Sequence, residues 1–282
     1  MKKILVLGIK GMAGHVIYKN LKDKNQHEVW GIARNINANG NEISLDVSET
    51  EKLKEIITQY SFDSIINCIG ILNKDAEDNP AKAIWFNSYF PHLLEEITKH
   101  TKTKVIHIST DCVFNGKKGN YSEKDVKDGE GFYAQSKALG EIDNTKDLTI
   151  RTSIIGPELN NNGIGLFHWF MNQNGKVNGY TSAYWSGVTT LELAKAVEHV
   201  LENSYQGILH LTNGNPINKF DLITLFKNIW HKNNVEIIPY DGKNVDKSLQ
   251  KSTILAHQVP DYQKMLQEQK LWMKEFSNLY TY

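Results

Sequence analysis

Cysteine is scarce in this chain of 282 residues, which contains two. Cys68 and Cys112 lie in different segments, without a close-spaced partner or a metal-ligand pattern. This spacing argues against a disulfide framework and against a zinc site. We therefore expect two buried thiols and no bound metal.

An excess of charge of one sign is also lacking, because 32 basic residues balance 32 acidic ones. The balance disfavours nucleic acid and anionic membrane surfaces as partners, so any anion site must be local. No segment approaches the ~20 apolar residues of a membrane-spanning helix. The apolar run at residues 4–7 is also too short for a signal peptide. We expect a cytoplasmic globular protein.

Short apolar runs alternate with amphipathic stretches over the first two-thirds of the chain. This alternation is typical of βαβ units, and continuous apolar strands suit a parallel sheet covered by helices on both faces. The sequence therefore predicts an α/β fold with a doubly wound parallel sheet of the Rossmann type. The predicted strands are 4–7, 29–33, 43–45, 64–66, 105–108 and 148–150.

Two helix starts can be predicted from local signals. Ser48, with Glu51 three residues later, has the pattern of a capping box. Pro80 is predicted just inside the start of another helix, where its missing N–H costs nothing.

Three glycines, Gly8, Gly11 and Gly14, follow the first predicted strand and open the next helix. In this context the first glycine permits a tight turn, the second lets the backbone approach a pyrophosphate, and the third lets the helix pack closely on the strand. The sequence predicts a dinucleotide-binding turn.

The end of the second strand carries Arg34, where an acidic residue would bind the ribose diol of NAD. An arginine suits a 2′-phosphate, and Lys10 in the glycine turn could add a second cation. The charges favour NADP(H), while NAD(H) stays possible. Both cations are also compatible with ordinary surface charges. Asp46, after the third strand, could bind the adenine amino group or cap the next turn.

The composition changes after about residue 155, where glycine, asparagine and aromatic residues become frequent. We predict an NADP-binding Rossmann domain over 1–155 and a smaller, mainly substrate-binding C-terminal lobe over 156–282, with 190–214 returning to the first domain. Helices are expected over 190–201, 219–230 and 262–276, and a strand over 208–211.

A hydroxyl and a possible acid–base pair are predicted on the ligand side of the sheet. Ser109 and Thr110 end the fifth strand, and ligands of open α/β sheets bind outside the carboxyl ends of strands. Tyr133 and Lys137 are four residues apart, which stacks them on one face of a helix. The ammonium can then favour loss of the phenol proton, although such a spacing also arises by chance on solvated helices.

These features together resemble the extended short-chain dehydrogenases/reductases, and within them the dTDP-4-dehydrorhamnose reductase family, over nearly the whole chain. The matching positions are the three glycines, Asn67, and the segments 109–116, 136–141, 151–156, 259–262 and 272–273, with Tyr133.

The resemblance implies NADPH-dependent reduction of the C4 carbonyl of a nucleotide-activated 4-keto-6-deoxysugar. Tyr133 is then the proton donor to the nascent alkoxide, and Lys137 lowers the tyrosine pKa and holds the nicotinamide ribose. Thr110 hydrogen-bonds the substrate oxygen. A nucleotide sugar is the expected partner, and a homodimer is compatible with the resemblance.

The resemblance also assigns the binding residues. Those expected at the cofactor are Gly8, Lys10, Gly11, Met12, Gly14, Arg34, Asp46, Val47, Asn67, Cys68, Ile69, Gly70, Ser109, Tyr133 and Lys137. Those expected at the substrate are Asp111, Phe167, Trp169 and Trp185, with Tyr184 as a further candidate. Core packing is the alternative explanation for these aromatic residues.

Cys112 separates this chain from the related nucleotide-sugar 4,6-dehydratases, in which a glutamate acts at that position, so dehydration is disfavoured. Two alternatives stay open. One is a combined epimerase/reductase of the GDP-fucose synthase type using Cys112 and His168. The other is a non-catalytic regulatory subunit that keeps the NADP pocket.

Overall fold

Seven of the fourteen strands form one central sheet. The computed structural model describes residues 1–282. The strands are β1 (Lys3–Leu7), β2 (Glu28–Ala33), β3 (Glu42–Ser44), β4 (Ser64–Asn67), β5 (Lys104–Thr110), β6 (Leu148–Thr152), β7 (Ile154–Ile155), β8 (Gly175–Tyr180), β9 (Ala183–Trp185), β10 (Val188–Thr189), β11 (Gly207–His210), β12 (Ile217–Asn218), β13 (Val235–Tyr240) and β14 (Val245–Asp246).

Ten α-helices connect or flank these strands. They are α1 (Met12–Asp23), α2 (Thr50–Tyr60), α3 (Asn73–Asp78), α4 (Pro80–Ala83), α5 (Phe90–Thr98), α6 (Gly131–Leu139), α7 (Leu166–Met171), α8 (Thr190–Glu202), α9 (Lys219–Trp230) and α10 (Tyr262–Glu275). None of the helices is both long and apolar enough to span a membrane.

The central sheet has the order β3-β2-β1-β4-β5-β6-β11, and every neighbouring pair is parallel. The strand order reverses between β1 and β4, so the crevice at the carboxyl ends of these two strands is the expected ligand position. This topology confirms the predicted doubly wound α/β fold. β11 lies beside β6 at the sheet edge.

Alternate residues of β1 enter the two cores that cover the faces of the sheet. Ile4 and Val6 pack with residues of α1 and α8, whereas Leu5 and Leu7 pack with residues of α2 and α5. All four side chains are inaccessible to solvent, and burying each contributes roughly 1.5–3 kcal/mol. A strand buried on both faces explains why its sequence is a continuous apolar run.

The predicted capping box at Ser48 is wrong. Helix α2 begins at Thr50, its N-cap Glu49 makes no side-chain capping bond, and Glu51 lies in its first turn. The Ser48 hydroxyl instead donates to Asp46 Oδ1 at 2.7 Å. A local turn around an aspartate competes with helix capping for the same serine.

The predicted helix at Pro80 is confirmed at its start but is not continuous. A π-helical segment, Ile84–Tyr89, separates α4 from α5. The later helices agree with their predicted ranges to within one residue at each end.

A buried ion pair joins the exit of α6 to the central sheet. Arg151 on β6 donates from Nε to Glu141 Oε1 and from Nη2 to Glu141 Oε2, both at 2.7 Å. The two side chains are 1% and 0% exposed. Ser109, on β5, donates its hydroxyl to the same carboxylate at 2.7 Å. Burial alone raises the pKa of Glu141, but the bonds from Arg151 hold this pKa below its ordinary value.

Replacing Arg151 by Met is expected to lower the free energy of unfolding by ~3–5 kcal/mol, because the buried carboxylate of Glu141 loses both bonds from its buried partner. The carboxylate keeps only the Ser109 hydroxyl and the contact of Lys127 at 3.3 Å. Urea denaturation measures this change. Since the folded-state pKa of Glu141 is depressed, the stabilisation is present above the unfolded-state pKa and is lost as the pH falls through the folded-state pKa.

The matched control is Lys176→Met, which breaks the exposed pair between Lys176 and Glu236. It should leave the unfolding transition nearly unchanged. Equal effects of the two substitutions would contradict the role assigned to burial.

Candidate active site

The turn between β1 and α1 is shaped by its glycines. Gly8 has φ +88°, a conformation that side-chain-bearing residues rarely adopt. A Cβ at Gly14 would lie 2.8 Å from the carbonyl carbon of Gly8 and closer still to its oxygen. Gly11, the N-cap of α1, makes no side-chain capping bond, and the first turn of the helix has no acidic residue. The helix N-terminus can therefore receive an anion.

A cleft of about 940 Å³ opens at the carboxyl ends of β1, β4 and β5. Its walls include residues of the glycine turn, the segment after β4, the end of β5, α6 and the segment 161–173. The residues predicted for the site that line it are Gly11, Met12, Cys68, Ile69, Gly70, Ser109, Thr110, Asp111, Tyr133, Lys137, Trp169 and Trp185.

Thr110 presents its hydroxyl at the end of β5 through a tight turn. The hydroxyl accepts from the Cys112 amide at 3.1 Å and lies 3.2 Å from Asp111 Oδ1, to which it donates. Both Thr110 and Asp111 are nearly buried in the cleft wall. Burial raises the pKa of Asp111 above its ordinary value.

The structure does not join Lys137 to Tyr133 directly. Lys137 Nζ donates to the carbonyl oxygen of Ile108 at 2.7 Å and lies 3.3 Å from His107 Nε2. Burial lowers the pKa of Lys137 to about 8. Burial also raises the pKa of Tyr133, with a smaller opposing effect from its hydrogen bond with Thr110. The expectation that Lys137 lowers the phenol pKa is thus not met in this structure, because the lysine reaches the sheet instead.

Helix α6 is held at its start by a carboxylate from another helix. Glu77 on α3 accepts from the amides of Phe132 and Tyr133, each at 3.1 Å. Gly131 has φ +87° and brings the chain into this arrangement. The N-terminus of a helix favours a negative charge, and here that charge positions Tyr133.

The π-helical segment supplies a second clamp through Asn87, which is fully buried. Its Oδ1 accepts from the Ile71 amide at 2.8 Å, and its Nδ2 donates to Ile71 O at 2.9 Å and to Ser136 Oγ at 3.0 Å. A Cβ at Gly140 would lie 2.8 Å from the Asn87 carbonyl carbon. The side-chain amide of Asn87 therefore joins the cleft wall after β4 to α6. Single π-helical turns are frequent at functional sites.

The residues predicted at the adenosine end lie outside the cleft proper. Arg34 is exposed and forms an ion pair with Asp46 at 3.5 Å. The bond from the Ser48 amide to Asp46 is the main reason why the pKa of Asp46 is lowered. Asp46 therefore caps its turn, which was one of the two alternatives predicted for it. Lys10 is exposed, and Val47 is buried in the core, so its side chain is not available to a ligand.

The residues after β4 form the wall opposite α6. Asn67 is buried and accepts from the Ile69 amide at 3.1 Å. The thiol of Cys68 is desolvated, which raises its pKa to about 12. Gly8 packs against this wall, because a Cβ there would lie 3.0 Å from the Ile69 side chain. The thiol is therefore an apolar wall group.

The aromatic residues predicted at the substrate divide into two groups. Trp169 and Trp185 line the cleft, whereas Phe167 is 2% exposed and packs edge-on against Phe226. The prediction for Phe167 is wrong, because this face of α7 turns into the core. Tyr184 is exposed on β9 and is not part of the cleft wall.

Sequence reasoning missed a group of lysines at the substrate end. Lys219 lines the cleft, and its pKa is lowered by burial and then by the neighbouring charge of Lys243. Lys219 and Lys247 both act on the charge of Asp111. The strands β12 and β14 flank β9 and bring Lys219 and Lys247 together. No local sequence signal indicates this, because the two lysines are distant in the chain.

The geometry gives no support to Cys112 and His168 as an epimerising pair. Both line the cleft, but burial, followed by the charge of Asp111, raises the pKa of Cys112 to about 11. His168 Nδ1 is engaged with the Tyr282 hydroxyl at 2.5 Å. A thiol that holds its proton so firmly is a poor base at neutral pH.

No three His, Cys, Asp or Glu side chains come together as a metal site. A second cavity, of about 960 Å³, lies between α9 and α10. It contains none of the predicted site residues, so the chemistry points to the first cleft.

Residues 1–274 match the protein-family model described as RmlD substrate binding domain. The chain belongs to the dTDP-4-dehydrorhamnose reductase-like family. This family lies within the extended short-chain dehydrogenases/reductases, which are NAD(P)-dependent oxidoreductases, and the predicted resemblance is confirmed.

Curated members and relatives of the family match parts of the chain. A probable low-salt glycan biosynthesis reductase of Haloferax volcanii is 31% identical over 48% of this chain and 46% of its own length. A dTDP-4-dehydrorhamnose reductase of Aggregatibacter actinomycetemcomitans is 29% identical over 57% of this chain and 54% of its own length. The methionine adenosyltransferase 2 subunit beta of Rattus norvegicus is 25% identical over 50% of this chain and 42% of its own length. The chain thus spans about half the length of these relatives.

Solved structures of the family match almost the whole chain. A hypothetical dTDP-4-dehydrorhamnose reductase from Sulfolobus tokodaii is 26% identical, with a TM-score of 0.78 over 92% of this chain and 98% of that chain. The dTDP-4-dehydrorhamnose reductase of Bacillus anthracis, in complex with NADP, is 17% identical. Its TM-score is 0.82 over 96% of this chain and 99% of that chain, which shows that the two proteins share the fold.

Replacing Glu77 by Ala is expected to weaken the start of α6 by about 1 kcal/mol, the usual effect of losing an N-terminal cap. Amide hydrogen exchange at Phe132 and Tyr133 measures this change and should become faster.

Asp78→Ala is the control, because Asp78 is on the same helix but pairs only with Lys74 in an exposed ion pair. If both substitutions accelerated exchange equally at Phe132 and Tyr133, Glu77 would not be the cap.

Proposed function

We propose that this protein is an NADPH-dependent reductase of the C4 carbonyl of a nucleotide-activated 4-keto-6-deoxysugar. The observation that carries the proposal is the convergence of Thr110, Tyr133 and Lys137 on the cleft that begins at the glycine turn. A pure binding site has no need of a phenol, a hydroxyl and an amine at its centre. Membership of the reductase family supports the same reaction.

The residues present suit a nicotinamide dinucleotide. The glycine turn leaves space that a Cβ would fill, and the uncapped start of α1 offers its amides to a pyrophosphate. Arg34 and Lys10 are exposed cations near the predicted 2′-phosphate position. When bound, the cofactor supplies the hydride. Lys137 is the group that would hold the nicotinamide ribose.

Tyr133 is the proposed proton donor. Its phenol is partly exposed to the cleft, and its raised pKa keeps it protonated throughout the neutral range. A donor within hydrogen-bond reach stabilises the oxygen as negative charge develops on it. Thr110 is the proposed second hydrogen-bonding group to the same oxygen.

The cations at the far end of the cleft support an anionic substrate. Lys219 lines the cleft, and Lys243, Asp111 and Lys247 contribute to the charge around it. A lysine of the cleft with two basic neighbours favours a ligand with phosphate charges, such as a nucleoside diphosphate sugar. The exposed ring of Trp169 could stack on the base.

Incubation with NADPH and a panel of 4-keto nucleotide sugars tests the proposal by the loss of absorbance of reduced nicotinamide. We expect oxidation with one substrate class. Tight NADPH binding without oxidation by any member of a broad panel would contradict it.

Replacing Tyr133 by Phe is expected to lower turnover by ~10²–10⁴-fold, because it removes the acid but keeps the ring. NADPH affinity should change little. Steady-state kinetics and a binding titration separate these two effects.

Tyr89→Phe is a suitable control, since Tyr89 is an exposed tyrosine at the end of the π-helical segment. Full turnover by the Tyr133→Phe protein would remove the phenol from the mechanism.

Replacing Arg34 by Gln is expected to weaken NADPH binding by about ten- to a hundredfold, because charged hydrogen bonds to the 2′-phosphate are lost. NADH affinity should be nearly unchanged. Calorimetric titration with both cofactors measures the preference.

Lys54→Gln removes another exposed cation, on α2, and serves as the control. A parallel loss of affinity for both cofactors on replacement of Arg34 would argue against a 2′-phosphate contact.

A second candidate is a regulatory subunit that binds NADP without turning over. The similarity to a methionine adenosyltransferase 2 subunit beta favours it. The intact Thr110, Tyr133 and Lys137 set favours the enzyme. The same panel assay distinguishes them, because the subunit would bind NADPH and oxidise none of it.

A further inference from the structure

A fully buried histidine, His107, lies beside the proposed site and has no role in the reaction described above. It is on β5, and the parallel register pairs it directly with Asn67 on β4. Side chains at paired positions of neighbouring strands lie on the same face of the sheet. His107 Nδ1 lies 3.1 Å from Asn67 Nδ2, and His107 Nε2 lies 3.3 Å from Lys137 Nζ.

The orientation of the Asn67 amide is fixed by the backbone. Its Oδ1 accepts from the Ile69 amide at 3.1 Å, so a flip would place its NH₂ group against another N–H. Asn67 therefore presents N–H to His107 Nδ1, which must be an acceptor. In a neutral imidazole the hydrogen is then on Nε2.

The Nε2–H of His107 consequently points to Lys137 Nζ. An ammonium has three donors and no lone pair, whereas a neutral amine can accept one hydrogen bond. The other contact of Lys137, its donation to Ile108 O at 2.7 Å, is available to both forms. Only the neutral amine gives every group a partner in the series of hydrogen bonds that runs from the Ile69 amide through Asn67, His107 and Lys137 to the Ile108 carbonyl.

The arrangement with an ammonium leaves a conflict. The ammonium would donate to Nε2, the hydrogen of His107 would move to Nδ1, and two N–H groups would then face each other between His107 and Asn67. Both residues are 0% exposed, so water cannot relieve this conflict, and an unsatisfied buried donor is costly.

We propose that Asn67 and His107 select the neutral amine form of Lys137 in the cofactor-free protein, which makes His107 a positioning residue for the proton state of the site. If the proposed function holds, and Lys137 lowers the tyrosine pKa as the resemblance implies, the lysine must gain a proton when the cofactor binds. Cofactor binding is then coupled to proton uptake.

The groups around the pair are few. Glu141 and Cys68 favour the charged form of Lys137, and burial opposes them more strongly, lowering the pKa to about 8. For His107, burial, then Lys137 and then His92 lower the pKa well below its ordinary value, which excludes an imidazolium at neutral pH. Tyr133 lies on the same helix as Lys137 and stays neutral. The hydrogen bond that an ammonium would forfeit favours the neutral amine further, in the same direction as burial.

Nuclear magnetic resonance of the cofactor-free, wild-type protein tests the inference without a functional assay. In protein labelled with ¹⁵N at histidine, we expect His107 to carry its hydrogen on Nε2. Protonation at Nδ1 or at both nitrogens would overturn the proposal. In protein labelled at lysine Cε, with Lys137 assigned by its loss in Lys137→Met, we expect a midpoint well below the ordinary lysine value of 10.5. A midpoint at the ordinary lysine value would overturn the proposal.

His107→Gln separates proton selection from packing, because glutamine is also polar but can turn its oxygen toward an ammonium. We expect the Lys137 midpoint to rise by about one unit. The control is His92→Gln, which removes the other nearby imidazole, on α5, that hydrogen-bonds to Glu95 and Leu139 instead. That control should leave the midpoint unchanged. An unchanged midpoint in His107→Gln would refute the selection.

Calorimetric titration of NADPH in two buffers of different ionisation enthalpy adds a second readout. We expect proton uptake by the wild-type protein above neutral pH and less uptake by His107→Gln. A failure of the reductase proposal would appear as absent turnover with the resonance results intact, so the two failures are distinguishable.

Discussion

The buried pair of Glu141 and Arg151 is the interaction on which the arrangement of the site depends. It joins the exit of α6 to β6, and the hydroxyl of Ser109 brings the end of β5 to the same carboxylate. Helix α6 carries both Tyr133 and Lys137, while β5 carries Thr110. A charge that cannot be left unpaired therefore fixes the helix against the strand that completes its chemistry. Glu77 and Asn87 then set the other end of the helix and its distance from the cleft wall.

Much of the fold could be predicted because its determinants are local. Strands such as β1 are buried on both faces and must be continuous apolar runs, and the glycine turn needs conformations that few other residues adopt. The interruption of the helix after Pro80 could not be predicted. It follows from the bonds that Asn87 makes to Ile71 and Ser136, both distant in the chain.

The candidate site shows the same division. The four-residue spacing correctly placed Tyr133 and Lys137 on one helix, and both line the cleft. Spacing does not determine where a long side chain ends, and Lys137 reaches Ile108 and His107 on the sheet. Phe167 and Trp169, two residues apart on α7, face opposite environments. Lys219 follows β12 and Lys247 follows β14. They come near each other because both strands pair with β9.

The π-helical segment has a mechanical consequence for the cleft. A single buried amide, that of Asn87, joins the wall after β4 to helix α6. Residues of the segment 161–173 line the cleft as well, and the Asn87 amide makes no bond to them. The π-helical turn thus sets the distance between the wall after β4 and the helix that carries Tyr133 and Lys137.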